Sequence, residues 1–590
     1  MQRLAAATIG AMATVVAGCS FDALELVGAV PSLANACRTD ADCGADAQCG
    51  PGICVASRGD LASVVLEISP PASAFYGAGD SFIVPVDGVA TADFSRALVL
   101  PEYVEVASRI TADINDPGAC PASYVEFDKS LAVHVELTRS DAVWGLPATT
   151  YAANATMTDG GWAFSLRVPS GTYDMYVASL AECAAEFPPV LIRRQALAAG
   201  NVPSAYNVGT PMLIEGTVKP PIDEATQKPS LDGWSVSLVE PRQGRAISTT
   251  HTWMSGDASS FSLRYRPIEA PESPLLVITP PKGLAAPSVV WDLSVVDLDG
   301  NGSVDLDMSS VGVQSKVTVR ARLIDEAASQ ANVAGVAGAT AKLRSTSLDN
   351  ISDHGLSAVY ETSANADDSG DVTLEVLPGR YRVVVVPPDQ SSLAVAESEW
   401  VIAPSPLEQA GRTFAVPART RLSGVIEGPR GGEPFGSISV AVAPSVFAPS
   451  SFLERTIAPD PVSPRVTSGF TGSDGRFDIP VDPGSLDFAA QPSADSHFPW
   501  LVRSRVKLPS DTLGRMTIGY PVPIRGTLHD PQGNAVQQAL LRVYAPLDAT
   551  GAADVTRPLN DPRIEGVLLV AEARTDELGR FQLLLPAAIH

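Results

Sequence analysis

One stretch constrains this chain more than any other: Gly472-Ser473-Asp474-Gly475-Arg476-Phe477-Asp478-Ile479-Pro480-Val481-Asp482-Pro483-Gly484. Asp474-Gly475 is turn chemistry, because Asp caps its own turn and Gly tolerates positive φ. Phe477, Ile479 and Val481 then alternate with polar or turn-forming residues, which puts three apolar side chains on one face of a strand. Pro483-Gly484 turns the chain back toward an antiparallel partner. Variants of this unit recur at Phe164, Phe261, Val372 and Phe581, in steps of about 100 residues. Strand openings near Val104, Leu213, Val317, Leu422 and Ile524 keep the same step. Two independent landmarks with one period define a repeat.

A chain of 590 residues is too long for one core. The period divides it into β-sandwiches at 103–208, 209–312, 313–417 and 418–519, with an incomplete fifth at 520–590. Residues 55–102 form a partial unit that is expected to dock on the first full one. Its segment Val64-Val65-Leu66-Glu67-Ile68-Ser69-Pro70-Pro71 reads like the end of a repeat, as in Leu275 to Pro281, and Leu98 to Pro101 reads like a lead-in strand. Each unit opens with a strand often ended by Gly, as at Gly216, Gly424 and Gly526, with Arg320 at that place in the third. The fifth stops at His590 without a return strand, which leaves an edge unpaired. Short strands, many turns and no helical pattern predict an all-β fold: tandem antiparallel sandwiches of the seven-stranded type. Gly-x-Val, Asp-x-Gly-x-Phe and Pro-x-Gly-x-Tyr in this order resemble carboxypeptidase regulatory-like domains of the transthyretin-like class. That resemblance implies the sandwich and nothing about activity.

The N-terminus reads as an address. Arg3 precedes the mostly apolar run Leu4 to Val16, a secretory signal pattern. Val16-Ala17-Gly18-Cys19-Ser20 resembles the bacterial lipobox. The resemblance implies removal of residues 1–18, lipidation at Cys19, a linker over 19–36, and, from Ser20, sorting to the outer membrane. Lipid chains anchor at about 0.8 kcal/mol per buried CH₂.

Seven cysteines leave six once Cys19 is set aside. Cys37, Cys43, Cys49 and Cys54 crowd into a segment (37–54) too small for a core, so crosslinks are expected there. A four-Cys zinc site is the alternative, but its ligand spacings run about two to four residues, narrower than most of these. The pairing among the four stays open. Cys120 and Cys183 then pair with each other.

The net charge of −25 disfavours nucleic acid and anionic membrane surfaces as partners. The six histidines (His134, His251, His354, His497, His529, His590) fall in no His-Glu-x-x-His pattern, and no Gly-x-Ser-x-Gly elbow or phosphate loop is present. The chain is therefore expected not to be an enzyme and to require no cofactor. Asp297, Asp299, Asn301 and Asp305 have the spacing of a calcium loop, yet Met308 stands where its last bidentate acid belongs; the competing reading is a polar hairpin turn. Trp291, Trp400 and Trp500 recur in the connecting segments. They read as core residues by repeat register, or, for Trp400 and Trp500, as stacking platforms for sugars.

The expected function is a non-enzymatic envelope lipoprotein whose repeats space, adhere or present, held to the membrane by its lipid and meeting an envelope protein or glycan. The alternative is a carbohydrate- or peptide-binding module set serving a secreted hydrolase. Stacked end to end, five units would reach about 170 Å with a radius of gyration of about 50 Å, against roughly 25 Å for one globule.

Overall fold

The structure is a computed structural model. It describes most of the chain from 35 to 589. Residues 1–34, 88–93, 112–132, 141–145, 180–187, 224–227, 266–272, 294–302, 312–315, 328–333, 350–355, 405–408, 446–464, 548–565 and scattered shorter loop positions lie outside the described residues. The expectations for Cys19, Cys120, Cys183, Asp297, Asp299 and Asn301 fall there. Strand makes up 61% of the molecule and helix 1%, so it is all-β.

The fourth unit shows how sequence becomes fold. In Arg476–Val481 the side chains of Phe477, Ile479 and Val481 are buried while Arg476, Asp478 and Pro480 are exposed, the alternation that period two requires. This strand pairs antiparallel with Thr420–Glu427, which pairs in parallel with Gly514–Thr517 on its other side. Facing that three-stranded sheet is a four-stranded one made of Thr467–Phe470, Ser439–Pro444, Gly484–Gln491 and Leu501–Leu508. Leu422, Ile426, Phe477 and Ile479 meet Val440, Val442, Leu486 and Phe488 between the layers. The second and third units repeat this arrangement of three strands on four. In the first unit Thr150–Thr158 runs through both layers and joins them into one seven-stranded sheet.

The Pro-x-Gly-x-Tyr signature has a structural meaning. Gly379 sits at φ 152°, where a Cβ would fall 2.4 Å from the Ser347 carbonyl oxygen. The Tyr381 hydroxyl then donates to the carbonyl of Leu377 at 2.8 Å, and Tyr173 does the same to Pro169 at 2.7 Å. Both rings are fully buried.

Three expectations are corrected. First, register places Ala321, not Arg320, at the glycine position of the third unit. Gly216, Gly424 and Gly526 stand opposite Phe261, Phe477 and Phe581, and Ala321 stands opposite Val372. A Cβ on Gly216 would lie 2.5 Å from the Phe261 ring. The smaller Val372 leaves room for a methyl group, so the third unit tolerates Ala.

Second, the front segment docks on the first unit through Asp80 and Tyr76, but its strands complete the last unit and not the first. Ser63–Ser69 pairs with Leu540–Leu547, and Phe94–Val99 pairs in parallel with Pro521–His529. With Phe82–Asp87 they supply the three strands that Pro521–His529, Leu540–Leu547, Gly566–Arg574 and Arg580–Pro586 lack. The first unit already holds its own seven strands, whereas the last offers two unsatisfied ladders, and backbone groups at an edge seek partners. Phe94–Val99 is therefore a closing strand and not a lead-in.

Third, an end-to-end rod is excluded. A row of five units cannot have its last sandwich completed by residues that precede its first.

The units also grip their neighbours. Arg193 bridges Asp174 of the first unit at 3.1 Å and the fully buried Glu240 of the second at 2.7 Å. Leu356–Val359 of the third unit adds a strand to the second through Ser288–Asp292. Asp482 of the fourth accepts the Val395 N–H of the third at 3.2 Å, while Arg465 donates to the Leu393 carbonyl at 3.0 Å. Leu146 of the first unit, Ala441, Ala443 and Ala489 of the fourth, and Val65, Tyr544 and Leu569 of the closing sandwich share one buried cluster.

Candidate functional site: the sandwich shared by the two ends

Both ends of the chain build the closing sandwich, residue against residue. Leu66, Ile68, Phe82 and Leu98 from the front pack with Leu528, Leu541, Val543 and Leu583 from the back. Across the outer sheet Glu67, Arg542 and Glu572 lie in register, an acid–base–acid row. Arg542 Nε donates to Glu572 at 3.0 Å. Glu67, 5% exposed, accepts from the Tyr544 hydroxyl at 2.7 Å and from Ser81 at 2.9 Å. Burial first, and the Glu67 charge second, raise the Tyr544 pKa far above that of a free phenol, so this hydroxyl stays a donor.

The same sandwich is locked to the first unit through Asp80. Its carboxylate is buried and accepts from the hydroxyls of Tyr103 and Tyr151, the latter at 3.2 Å. Burial, then the Asp80 charge, pushes the Tyr151 pKa up.

The small N-terminal knot is pinned by Cys37–Cys49 and Cys43–Cys54. The sulfurs of Cys37, Cys43 and Cys54 lie within 4.8 Å of one another, but all are committed to disulfides and offer no zinc-binding thiolate. The knot is seated at the junction of the last two units. Asn35 Nδ2 donates to the carbonyls of Cys54 at 2.7 Å and His497 at 3.1 Å, and the Gly44 N–H donates to the Tyr520 hydroxyl at 3.1 Å.

On the three-stranded layer lies an open groove of about 600 Å³, lined by Arg96, Arg525, Arg574, Asp576, Arg580 and Gln582 among others. Arg96 comes from the front of the chain and the rest from the back. Arg580 Nε donates to Asp576 at 2.8 Å. Arg574 reaches the Gln538 carbonyl only at 3.5 Å.

The residues singled out by sequence lie elsewhere. Trp400 is 7% exposed, set edge-on against Phe414 with the Arg412 guanidinium 5.3 Å from its ring centroid. Trp291 is buried in the second core. Trp500 is half-buried where the fourth unit meets the closing sandwich. These rings fill cores and joints, so the stacking-platform reading is withdrawn. Asp305 accepts a hydrogen bond from Thr217. Met308, at the last position of the calcium-like spacing, is fully buried in the second core. The four described histidines fall in four different sandwiches, and among the described residues the side chains of His134, His251 and His529 make local contacts: His134 to Glu136 and Asn154, His251 to Trp253, His529 to Gly533. Among the described residues no helix is long and apolar enough to cross a membrane.

The arginine groove escaped sequence reading because its members are far apart in the chain.

No family model and no curated protein matches this chain. Among solved structures, a streptococcal ancillary pilin is 13% identical, spans 52% of this chain and 99% of its own, and has a TM-score of 0.20. The Bacillus anthracis TIE protein is 10% identical over 70% of this chain and 74% of its own, TM-score 0.17. GBS52, the minor pilin of Streptococcus agalactiae, is 10% identical over 36% and 95%, TM-score 0.19. Likenesses this distant carry no argument about what this chain binds or does.

Proposed function

We propose that this chain is a non-catalytic scaffold of the cell envelope, anchored in the outer membrane by lipid on Cys19, that presents its five sandwiches as one closed body. The observation that most supports this is the shared sandwich, in which strands from 63–99 complete strands from 521–586. Closure brings the anchor-proximal knot against the last units and removes the reach that a spacer rod requires. Two disulfides support an oxidising compartment. Histidines dispersed over separate units support a role without catalysis. Recognition of an envelope protein or glycan by the presented surface completes the reading, and it requires no metal or cofactor.

A crosslink tests it. Val99 and His529 are register partners on adjacent strands, so Val99→Cys with His529→Cys places two thiols at disulfide reach. In intact cells the oxidised product should be a loop within one chain, found in the membrane fraction. Cys19→Ser should release it. No crosslink, or crosslinked dimers only, would overturn the closed body; membrane retention of the Cys19→Ser chain would overturn the anchor.

A further inference from the structure

We propose that the N-terminal knot is a thiol–disulfide relay: an external dithiol reduces it at Cys49, and the thiols come to rest on Cys49 and Cys54 while a new bond joins Cys37 to Cys43. This goes beyond the scaffold reading and holds whether or not Cys19 carries lipid.

Placement of the sulfurs comes first. The bonds Cys37–Cys49 and Cys43–Cys54 interleave in the sequence and lie side by side in space. The Sγ atoms of Cys37, Cys43 and Cys54 are within 4.8 Å of one another. A thiolate freed on Cys37 therefore stands one short step from the other disulfide. Exchange requires an attacking thiolate with access to a disulfide sulfur, and this arrangement supplies both.

Access is uneven. Cys54 is fully buried and Cys37 is 9% exposed, whereas Cys43 and Cys49 are half-buried. Residues on both sides of Cys43 are held against the body. The Asp42 carbonyl accepts from Arg430, and the Gly44 N–H donates to Tyr520. Cys49 follows the exposed Gln48, and its N–H stays within the knot, donating to Asp40 at 2.6 Å. An external thiolate thus meets Cys49 first and expels Cys37.

Charge then selects the sulfur that leaves. Arg430 Nη2 lies 3.8 Å from Cys54 Sγ. Asp42, the acid that Arg430 also feels, directs its carboxylate to the N–H groups of Arg38 and Thr39 at 2.7 and 2.8 Å. A guanidinium beside a sulfur stabilises its thiolate, and the more stable thiolate departs faster. Attack by Cys37 on Cys43 therefore expels Cys54, in preference to attack on Cys54 that expels Cys43.

The electrons balance with the dithiol alone. Its first thiolate attacks Cys49 Sγ, the Cys37–Cys49 bond breaks, and the electron pair leaves on Cys37. Its second thiolate closes a disulfide within the reductant and releases Cys49, which takes a proton. Cys37 then bonds to Cys43, the Cys43–Cys54 bond breaks, and the pair leaves on Cys54. The dithiol has lost two electrons and the knot has one disulfide fewer. Cys49 and Cys54 are register partners on the hairpin of Ala47–Cys49 with Cys54–Ala56, so the product presents a cross-strand dithiol. Cys54 also exchanges both backbone hydrogen bonds with Asn35, which ties the product to the seat of the knot.

Stepwise addition of dithiothreitol to the full chain tests this. Samples are quenched in acid, denatured, alkylated and mapped by mass spectrometry. Cleavage at Arg38 and at Asp46 separates Cys37, Cys43 and the Cys49–Cys54 peptide, and fragmentation resolves the last two. The major species that keeps one knot disulfide should carry labels on Cys49 and Cys54 and a bond between Cys37 and Cys43. Arg430 is exposed, so Arg430→Gln should fold, and it should lower that species severalfold relative to the other one-disulfide forms; Arg430→Lys should restore most of it. Labels on Cys37 and Cys49 with Cys43–Cys54 intact would show that no exchange occurs and overturn the relay. A Cys37–Cys54 bond, an intact Cys37–Cys49 bond, or loss of both disulfides together with no one-disulfide species would overturn it as well. An unchanged distribution in Arg430→Gln overturns the part assigned to Arg430. The Val99–His529 crosslink is read separately, so failure of the scaffold reading and failure of the relay are distinguishable.

Discussion

Starting the chain at Tyr103 should unfold its other end. The front segment contributes Val64, Leu66, Ile68, Phe82, Val86, Leu98 and Leu100 to the closing core, all buried. At about 1.5–3 kcal/mol per buried side chain, these seven are worth on the order of 10–20 kcal/mol. A domain is stable by about 5–15 kcal/mol, so the remaining four strands cannot hold alone. The truncation also strips partners from Leu540–Leu547 and Pro521–His529, leaving two bare edges. Amide exchange read by mass spectrometry is the assay. Peptides covering 521–586 should exchange rapidly and be cut first by protease, while the third unit keeps full protection. Adding a 35–101 fragment in trans should restore protection at 521–586, because the segment pairs through backbone ladders and apolar contacts and not through a covalent link. Retained protection of Leu541, Val543 and Leu583 in the truncated chain would refute the reasoning. A milder perturbation grades it: Leu66→Ala should cost about 2–5 kcal/mol in the closing sandwich only.

Gly526→Ala should destabilise the closing seam by about 1–3 kcal/mol, since its Cβ would lie 2.2 Å from the Arg96 carbonyl oxygen and 2.6 Å from the Phe581 ring; Gly519→Ala, with nothing within 4 Å, should be neutral in the same urea titration. Hydrogen bonds from Ser309 and Lys219 hold Asp307 at a pKa of about 2, below its ordinary 3.8. A depressed folded pKa means stability that is present above the unfolded value and lost as pH falls through the folded one. The difference between the parent chain and Asp307→Asn should therefore be constant above about pH 4 and vanish toward pH 2, and, because this carboxylate is 60% exposed, it should be only a few tenths of a kcal/mol. Reducing both disulfides, which close short loops worth about 3 kcal/mol each, should lower the melting of the closing sandwich and leave the third unit unchanged. Small-angle scattering of the chain should give a radius of gyration of about 30 Å, as for five units around a closed path, and a value of about 50 Å would contradict closure.

The repeat, the all-β class and the strand faces were legible because each rests on local chemistry. Asp-x-Gly turns and period-two alternation act over a few residues, so Phe477, Ile479 and Val481 announce their own burial. The two disulfides were legible as a class, from crowding in a coreless segment, but not as pairings, which depend on how the knot folds. Closure was half legible. The likeness of Val64–Pro71 to Leu275–Pro281 is real: Ser63–Ser69 pairs with Leu540–Leu547 as Leu275–Thr279 pairs with Ser235–Val239. Sequence order suggested docking on the first unit, which occurs through Asp80 and Tyr76, but missed the strand pairing with the last, because proximity along the chain favours the first unit while unpaired edges favour the last. Trp400 and Trp500 misled in the opposite sense: a recurring aromatic marks a recurring core position before it marks a binding face.

Closure also changes what the ends mean. In an open array the terminal units carry the exposed edges, and each needs a cap. Here the chain is cut within a unit instead of between units, and the two cut faces are each other's cap. The cut falls so that three strands precede the first full unit and four follow the last, and together they make the same three-on-four sandwich as in the middle of the chain. Among the described residues the strand pairs across that seam join positions more than 400 apart, so the closing sandwich bears a loop-closure cost that the others do not. That cost grows only with the logarithm of loop length, and units that fold first shorten the effective loop by holding their own ends. The closing sandwich is thus expected to form last and to open first, and the crosslinked knot seated on it acts on the joint that both ends share.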